Sequence, residues 1–234
     1  NLPNWSYVSF KVEDGDWFEL DNVRIDDYRR ELDMRCGVLK RKVVFTDDHG
    51  RRTTVRDRRF VSMEEPNLAA LEVEITPENW SGRMTVRTAL DGNVGNTLVK
   101  RYRELDNDHL MHLGSGAGDP GTLWLDVETK QSRVRVAQAA RTKVFNDGGT
   151  AAGRVPVLER SIARQDIEVD AARERTVRVE KIAAIHSSRD RAISDPVTGC
   201  LDLLRHSGGF DELLADHSKR WETLWSRYGF EVDP

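Results

Sequence analysis

The 234-residue sequence predicts a mainly β chain, a large antiparallel β-sandwich followed by a short C-terminal helical linker. Three observations predict it. Short segments alternate apolar and charged residues with a period of two, so each hides one face and wets the other. Turn-rich pieces separate these segments. After about residue 190 the apolar spacing changes to that of a helix. One-sided strands argue for antiparallel sheets packed face to face rather than a parallel α/β sheet. The expected division is a sandwich over 1–190 and a linker over 191–234.

In "YRRELDMRCGVLKRKVVF" (28–45), Leu32, Met34 and Cys36 alternate with Glu31, Asp33 and Arg35, which reads as a strand with one apolar face. Gly37 permits a break. Leu39, Val43 and Phe45 then oppose Lys40 and Lys42, "TDDHGRR" (46–52) supplies turn chemistry, and 53–62 returns, giving a hairpin. The same alternation marks "LAALEVEIT", "RMTVRTAL", "TLWLDVET", "SRVRVAQ" and "TVRVEKI", about ten strands in all. Turns are expected at 76–82, 91–96 and 146–153, and the weakly periodic "DNDHLMHLGSGAGDPG" (106–121) reads as an exposed loop. A short helix is expected over 196–205, with Asp195 as N-cap and Pro196 at the first helical position. After the "SGG" break (207–209), the apolar stripe Phe210, Leu213, Leu214, Trp221, Leu224, Trp225 and Tyr228 predicts an amphipathic helix.

The 36 Lys and Arg stand against 40 Asp and Glu, a net charge of −4, and the basic residues of 28–45 fall on solvated strand faces. That pattern argues against a nucleic-acid partner. Cys36 and Cys200 have no metal or disulfide spacing, so reduced thiols and a cytoplasmic location are expected, with no metal. No apolar run approaches the roughly 18–20 residues that cross a bilayer, and no secretory leader is recognisable, so no membrane partner is expected. The chain begins with Asn1 rather than Met, which leads us to expect a fragment of a longer protein.

Gly114, Gly116 and Gly118 are spaced like a dinucleotide loop, but "DPG" leads from them into a strand, not a helix, so nucleotide binding is set aside. His109 and His112, three apart in a Gly-rich segment, read as a solvent-exposed pair rather than metal ligands. No local hydrolase, metalloprotease or phosphate-loop motif is present. Trp17, Trp124, Trp221 and Trp225 sit in periodic contexts and read as packing residues. Trp5 and Trp80 sit in turn-like segments, where an indole would stack on a sugar or plug a loop; the plug is favoured.

"NLPNW" (1–5), "LDMRCGVLKR" (32–41), "RRFVSMEEPNLAALEVEITPENWSG" (58–82) and "ALDGNVGN" (89–96) resemble the N-terminal domain of glycoside hydrolase family 65, which includes phosphorylases of trehalose, maltose and kojibiose together with some trehalose hydrolases, so that phosphorolysis and hydrolysis both stay open. The resemblance is dense over 1–105, weaker to 153, and returns in "RWETLWSRYGFEV". It implies the super-sandwich fold with a helical linker leading to an (α/α)6 barrel outside this chain, where the general-acid Glu and phosphate site lie. It therefore implies a non-catalytic domain with no catalytic residue and no cofactor of its own. The implied roles are barrel packing, active-site rim and homodimer contacts, with disaccharide and inorganic phosphate bound by the full-length enzyme. Asn4 and Trp5, matching the family's "PNW", are the candidate carbohydrate-rim residues. The alternatives are a stand-alone carbohydrate-binding β-sandwich module and an oligomerisation domain using the aromatic helix.

Overall fold

The computed structural model describes residues 1–95, 107–146, 149–150, 154–191 and 194–228. The turn expected at 146–153 and the start of the 106–121 loop fall partly outside these residues. Thirteen strands, two α-helices and one short 3-10 turn (Leu20–Asn22) are described, more strands than the ten expected. The first six strands are β1 (Asn4–Val12), β2 (Arg24–Asp33), β3 (Val38–Thr46), β4 (Arg52–Val61), β5 (Leu68–Pro77) and β6 (Gly82–Asp91). Then come β7 (Leu110–Ala117), β8 (Thr122–Thr129), β9 (Arg135–Asn146) and the two-residue β10 (Gly149–Thr150). The last strands are β11 (Arg154–Glu159), β12 (Ile162–Ala171) and β13 (Val177–Ser187), followed by helices α1 (Pro196–His206) and α2 (Phe210–Tyr228).

The strands form two antiparallel sheets. The smaller has the order β1-β6-β12-β11; the larger runs β2-β3-β4-β5-β13-β9-β8-β7, with β10 beside β9. Two meanders, β2–β5 and β7–β9, make the halves of the larger sheet, and β13 joins them by pairing with β5 on one side and β9 on the other. Between the sheets lie Phe10, Phe45, Ile75, Met84, Val86, Ile167, Val177 and Val179, continuing into Leu90, Leu123, Leu125, Val127 and Ala183. On the other face of the larger sheet, Phe60, Leu68, Ala70, Ala139, Ile182 and Ala184 pack against Cys200, Leu204, Phe210 and Leu213 of the helices. Burying both faces explains why β13 reads as a nearly continuous apolar run at "IAAI".

The helices start and stop where the sequence places them. Asp195 Oδ2 accepts from Thr198 N at 2.9 Å, and Pro196 opens α1. Charges from the sheet then hold the joint between the helices. Arg141 of β9 donates to Leu204 O at 2.5 Å, Ser207 O at 3.2 Å and Gly208 O at 2.8 Å, placing a cation at the carbonyl end of α1. Glu180 of β13, 5% exposed, accepts from Phe210 N at 2.9 Å at the amide end of α2. Each charge has the sign that its helix end favours. Glu212 completes the cap of α2 by accepting from Gly209 N at 3.0 Å.

Farther along α2, His217 stacks on Phe60 with ring centroids 4.5 Å apart and accepts through Nδ1 from Met63 N at 3.1 Å. This buried residue lies on the helical stripe at a position where apolar spacing alone gives no signal. Trp221 lies over Gly37 in the β2–β3 turn, and Trp225 Nε1 donates to Arg35 O at 2.8 Å. Tyr228, 72% exposed, carries the stripe past the sheet.

Three expectations need correction. Leu32 and Met34 are 60% and 69% exposed, and β2 ends at Asp33, so the expected buried face is absent. The physical reason is position: β2 is the end strand of the larger sheet, with a neighbour on one side only, and a period of two assigns faces without showing that either is covered. Residues 110–117 form β7 rather than part of a loop, because two glycines and a bulge hide the alternation. Trp17 lies in the connection after β1, beneath Arg87 (3.9 Å to the ring centroid) and Lys11 (5.6 Å), in no periodic element.

Gly37 has φ +63°, and a Cβ there would stand 2.3 Å from Trp221 Nε1. Gly37→Ala should therefore cost about 2 kcal/mol or more and loosen α2, read as a lower urea midpoint with altered Trp fluorescence. Burial holds the His217 imidazole below its ordinary pKa of 6.5, so the stability it contributes is complete above that value and is lost as pH falls through its lower folded value. The stability advantage of the wild type over His217→Gln should shrink between pH 7 and 5 in urea titrations.

Candidate functional site

The candidate rim residues sit at one corner of the sandwich, where β1 begins. From Asn4↔Asp91 to Tyr7↔Ala89, β1 advances three residues while β6 advances two, which defines a β-bulge at Trp5–Ser6. The bulge separates the two residues by environment. Asn4 is exposed, and its Oδ1 accepts from Ser6 N at 3.0 Å and Ser6 Oγ at 2.9 Å, a local turn that uses the carboxamide oxygen. Trp5 is half-buried and packs at the meeting of the two inter-sheet clusters. Trp5 thus lies in a strand rather than in the turn expected, although it does plug the end of the core.

Next to it, Asn1 Nδ2 donates to Gly95 O at 2.7 Å, and His109 Nε2 faces Asn1 O at 2.6 Å. Gly92 N donates to Ser161 O at 2.7 Å, which ties the β6 exit to the β11–β12 turn. These segments border an open groove of about 480 Å³ lined by Asn93, Asn107, Asp108, His112, Arg160 and Ser161. Its volume falls within the range of small-ligand sites, and its walls offer amide, hydroxyl, imidazole and guanidinium groups suited to a hydroxyl-rich ligand. Lys130 holds the Asp108 carboxyl below its ordinary range.

His109 and His112 are not the exposed pair expected: both are half-buried and are held differently. Both ring nitrogens of His109 face backbone carbonyls, whereas His112 lies in β7 with a buried, unpartnered Nε2. Among the described residues no group of three or more His, Cys, Asp or Glu is arranged to hold a metal. Trp80 is the loop plug expected, 7% exposed with Nε1 donating to Thr53 Oγ1 at 2.9 Å. Gly114 and Gly116 make room for an indole, since a Cβ on Gly116 would lie 2.6 Å from the Trp124 ring.

The basic residues of 28–45 are largely neutralised locally, with pairs Arg29–Glu31 (2.6 Å), Lys40–Asp33 (3.0 Å), Arg41–Asp57 (2.5 Å) and Lys42–Asp27 (2.8 Å). Lys40 helps to lower the Asp33 pKa to about 2. Cys36 and Cys200 are free thiols, and burial pushes Cys200 up to about 12, which makes it a packing residue rather than a nucleophile. No helix among the described residues is long and apolar enough to cross a membrane.

The sequence pattern described as "Glycosyl hydrolase family 65, N-terminal domain" matches residues 1–224. An uncharacterized glycosyl hydrolase of Mycobacterium tuberculosis is 36% identical over 233 residues, covering 99% of this chain and 18% of the relative. A kojibiose phosphorylase of Caldanaerobacter subterraneus subsp. tengcongensis is 30% identical over 241 residues, covering 97% of this chain and 30% of the relative. A solved structure of a human-microbiome protein assigned as a kojibiose phosphorylase superposes with a TM-score of 0.80 at 14% identity, covering 96% of this chain and 28% of that one. The last likeness establishes the fold alone. The chain spans less than a third of the length of these curated relatives.

The corner yields a contrast between neighbours. Trp5→Ala should cost about 3 kcal/mol by emptying the join of the two clusters. Asn4→Ala, at an exposed position, should stay within about 1 kcal/mol of wild type. Thermal and urea unfolding of both variants check the pair.

Proposed function

The chain belongs to glycosyl hydrolase family 65 as an N-terminal domain, and from that premise we propose that it is the non-catalytic sandwich of a longer enzyme that acts on α-glucosidic disaccharides. The observation that carries the reading is the extent of the match: the sandwich, α1 and most of α2 fall within one family unit, while the relatives are more than three times as long. The rest of such a protein is the natural place for the reacting groups. By this reading the missing portion is a catalytic barrel, and disaccharide and inorganic phosphate are its substrates.

In an inverting phosphorolysis one carboxylic acid protonates the leaving oxygen while phosphate attacks the anomeric carbon from the opposite face. Both partners of that step would be held by the barrel. This chain would contribute a rigid wall, a rim segment at Asn4 and Trp5, and contacts for a homodimer, in the cytoplasm. The half-buried setting of Trp5 suits a rim whose shape is fixed by the sandwich. The helical joint held by Arg141 and Glu180 would fix the direction in which the chain leaves for the barrel.

The isolated chain, incubated with kojibiose, maltose or trehalose and inorganic phosphate, should release no glucose 1-phosphate above a protein-free blank. The full-length parent should do so with at least one of the three. Sustained turnover by the isolated chain would overturn the division of labour.

A further inference from the structure

Lys181 stands in the middle of β13, the central strand, and its side chain enters the space between the sheets, where it is 1% exposed. Its Nζ donates to Ala89 O at 2.7 Å and to Tyr7 O at 3.1 Å. Those carbonyls belong to the first cross-strand pair after the β1 bulge. A bulge interrupts the ladder locally, and a carbonyl left inside a core without a donor carries a large penalty. The lysine therefore satisfies acceptors at the point where the N-terminal strand departs from regular pairing. No other contact described between β13 and the smaller sheet is a side-chain hydrogen bond.

The surroundings also bear on its charge. The register sets Leu71 of β5 on one side of Lys181 and Thr142 of β9 on the other. Across the gap, Thr88 of β6 meets Thr142 at 3.3 Å, and Gln165 of β12 donates to Gly121 O. From β1 come the Tyr7 carbonyl and the side chains of Val8 and Phe10, which the register sets beside Thr88 and Val86. The charged side chains on the same face of the larger sheet include Arg59 and Asp57 of β4 and Arg41 of β3, and the Asp57 carboxylate is taken up by Arg41 at 2.5 Å. Among the described residues no carboxylate is hydrogen-bonded or ion-paired to the amine. An ammonium has three N–H groups to place and here finds two acceptors; an uncharged amine has two N–H groups, and both are used.

We infer that Lys181 is an internal tie that holds the bulged start of β1, and with it Asn4 and Trp5, against the larger sheet, and that it does so as an uncharged amine. Burial agrees in direction, lowering the pKa of this lysine from the ordinary 10.5 to about 7. Since the folded value lies below the unfolded one, the stability linked to this group is complete above pH 10.5 and is lost as pH falls through about 7. Acidification thus works against the tie. If Asn4 and Trp5 form a rim, its placement is proton-linked; the tie itself does not depend on that reading.

Two measurements on the 234-residue chain test it. In the wild type, the 13Cε resonance of Lys181 should titrate with a midpoint near 7, and a midpoint near 10.5 would overturn the uncharged form. Hydrogen exchange should show protection at residues 7–10 falling on acidification from pH 8 to 6, relative to Val177–Val179. Lys181→Met, similar in length but without a donor, should lower protection at residues 7–10 by about tenfold or more and remove that pH dependence. Equal protection in variant and wild type would overturn the tie. Should the variant not fold, the wild-type titration and its exchange profile still decide, and no sugar enters either measurement.

Discussion

A strand buried on both faces must send each consecutive side chain into a different interior, and in this chain that constraint falls on β13. It is the last strand to be laid down, and it closes the larger sheet by joining two meanders formed much earlier in the sequence. Glu180 and Lys181 are adjacent residues on it, and the pleat turns them to opposite faces. Glu180 meets the amide end of α2, while Lys181 meets the carbonyls of the β1 bulge. One strand is thus the common reference for the start of the chain and for its last helix. Neither side chain has a partner of opposite charge described within bonding distance, and each is met by backbone groups instead. Such an arrangement tolerates burial only while the backbone partners stay in place, so it specifies geometry more than it adds stability.

The helical joint extends the same logic. Arg141 lies on β9 opposite Ile182 of β13, so the guanidinium and the Glu180 carboxylate rise from neighbouring strands toward the three residues between the helices. The cation meets the end of α1 where carbonyls are left over, and the anion meets the end of α2 where amides are left over. Reversing the two charges would leave both helix ends facing like charge. The sheet thereby fixes the angle at which α2 crosses it, and the aromatic column Phe210, Phe60, His217, Trp221 and Trp225 fills the line of contact as far as the β2–β3 turn.

Much of this was legible in the sequence because local patterns coincide with local structure. Pro196 behind Asp195, the Ser-Gly-Gly break and the spacing from Phe210 onward place both helices closely. The hairpin of β3 and β4 follows from its turn residues. What escaped has a common cause: it depends on what lies across from a residue. Leu32 and Met34 alternate as a core strand does, yet nothing covers them at the sheet edge. His217 carries no apolar signal but is 1% exposed, because Phe60 and the Met63 amide are waiting for it. Strand β7 hides behind glycines that exist to seat Trp124. The candidate rim residues were chosen by resemblance; the bulge that separates Asn4 from Trp5 appears only in the pairing of β1 with β6.

The polar groups between the sheets carry the argument one step further. An interior made only of Val, Leu and Ile would let the smaller sheet settle over the larger one in several registers of similar energy. Here Thr88 meets Thr142, Gln165 reaches Gly121 O, Gln138 Nε2 reaches Pro3 O at 2.9 Å, and Lys181 reaches Tyr7 and Ala89. A slip of two residues by either sheet keeps the apolar faces together but strands several of these groups, at roughly 1–3 kcal/mol for each one left unpaired. That penalty is comparable with much of a domain's net stability, so the row selects one alignment of the two sheets. Two of its members, Gln138 and Lys181, bind the first seven residues of the chain, and the alignment of the sheets therefore also decides where the N-terminal corner stands.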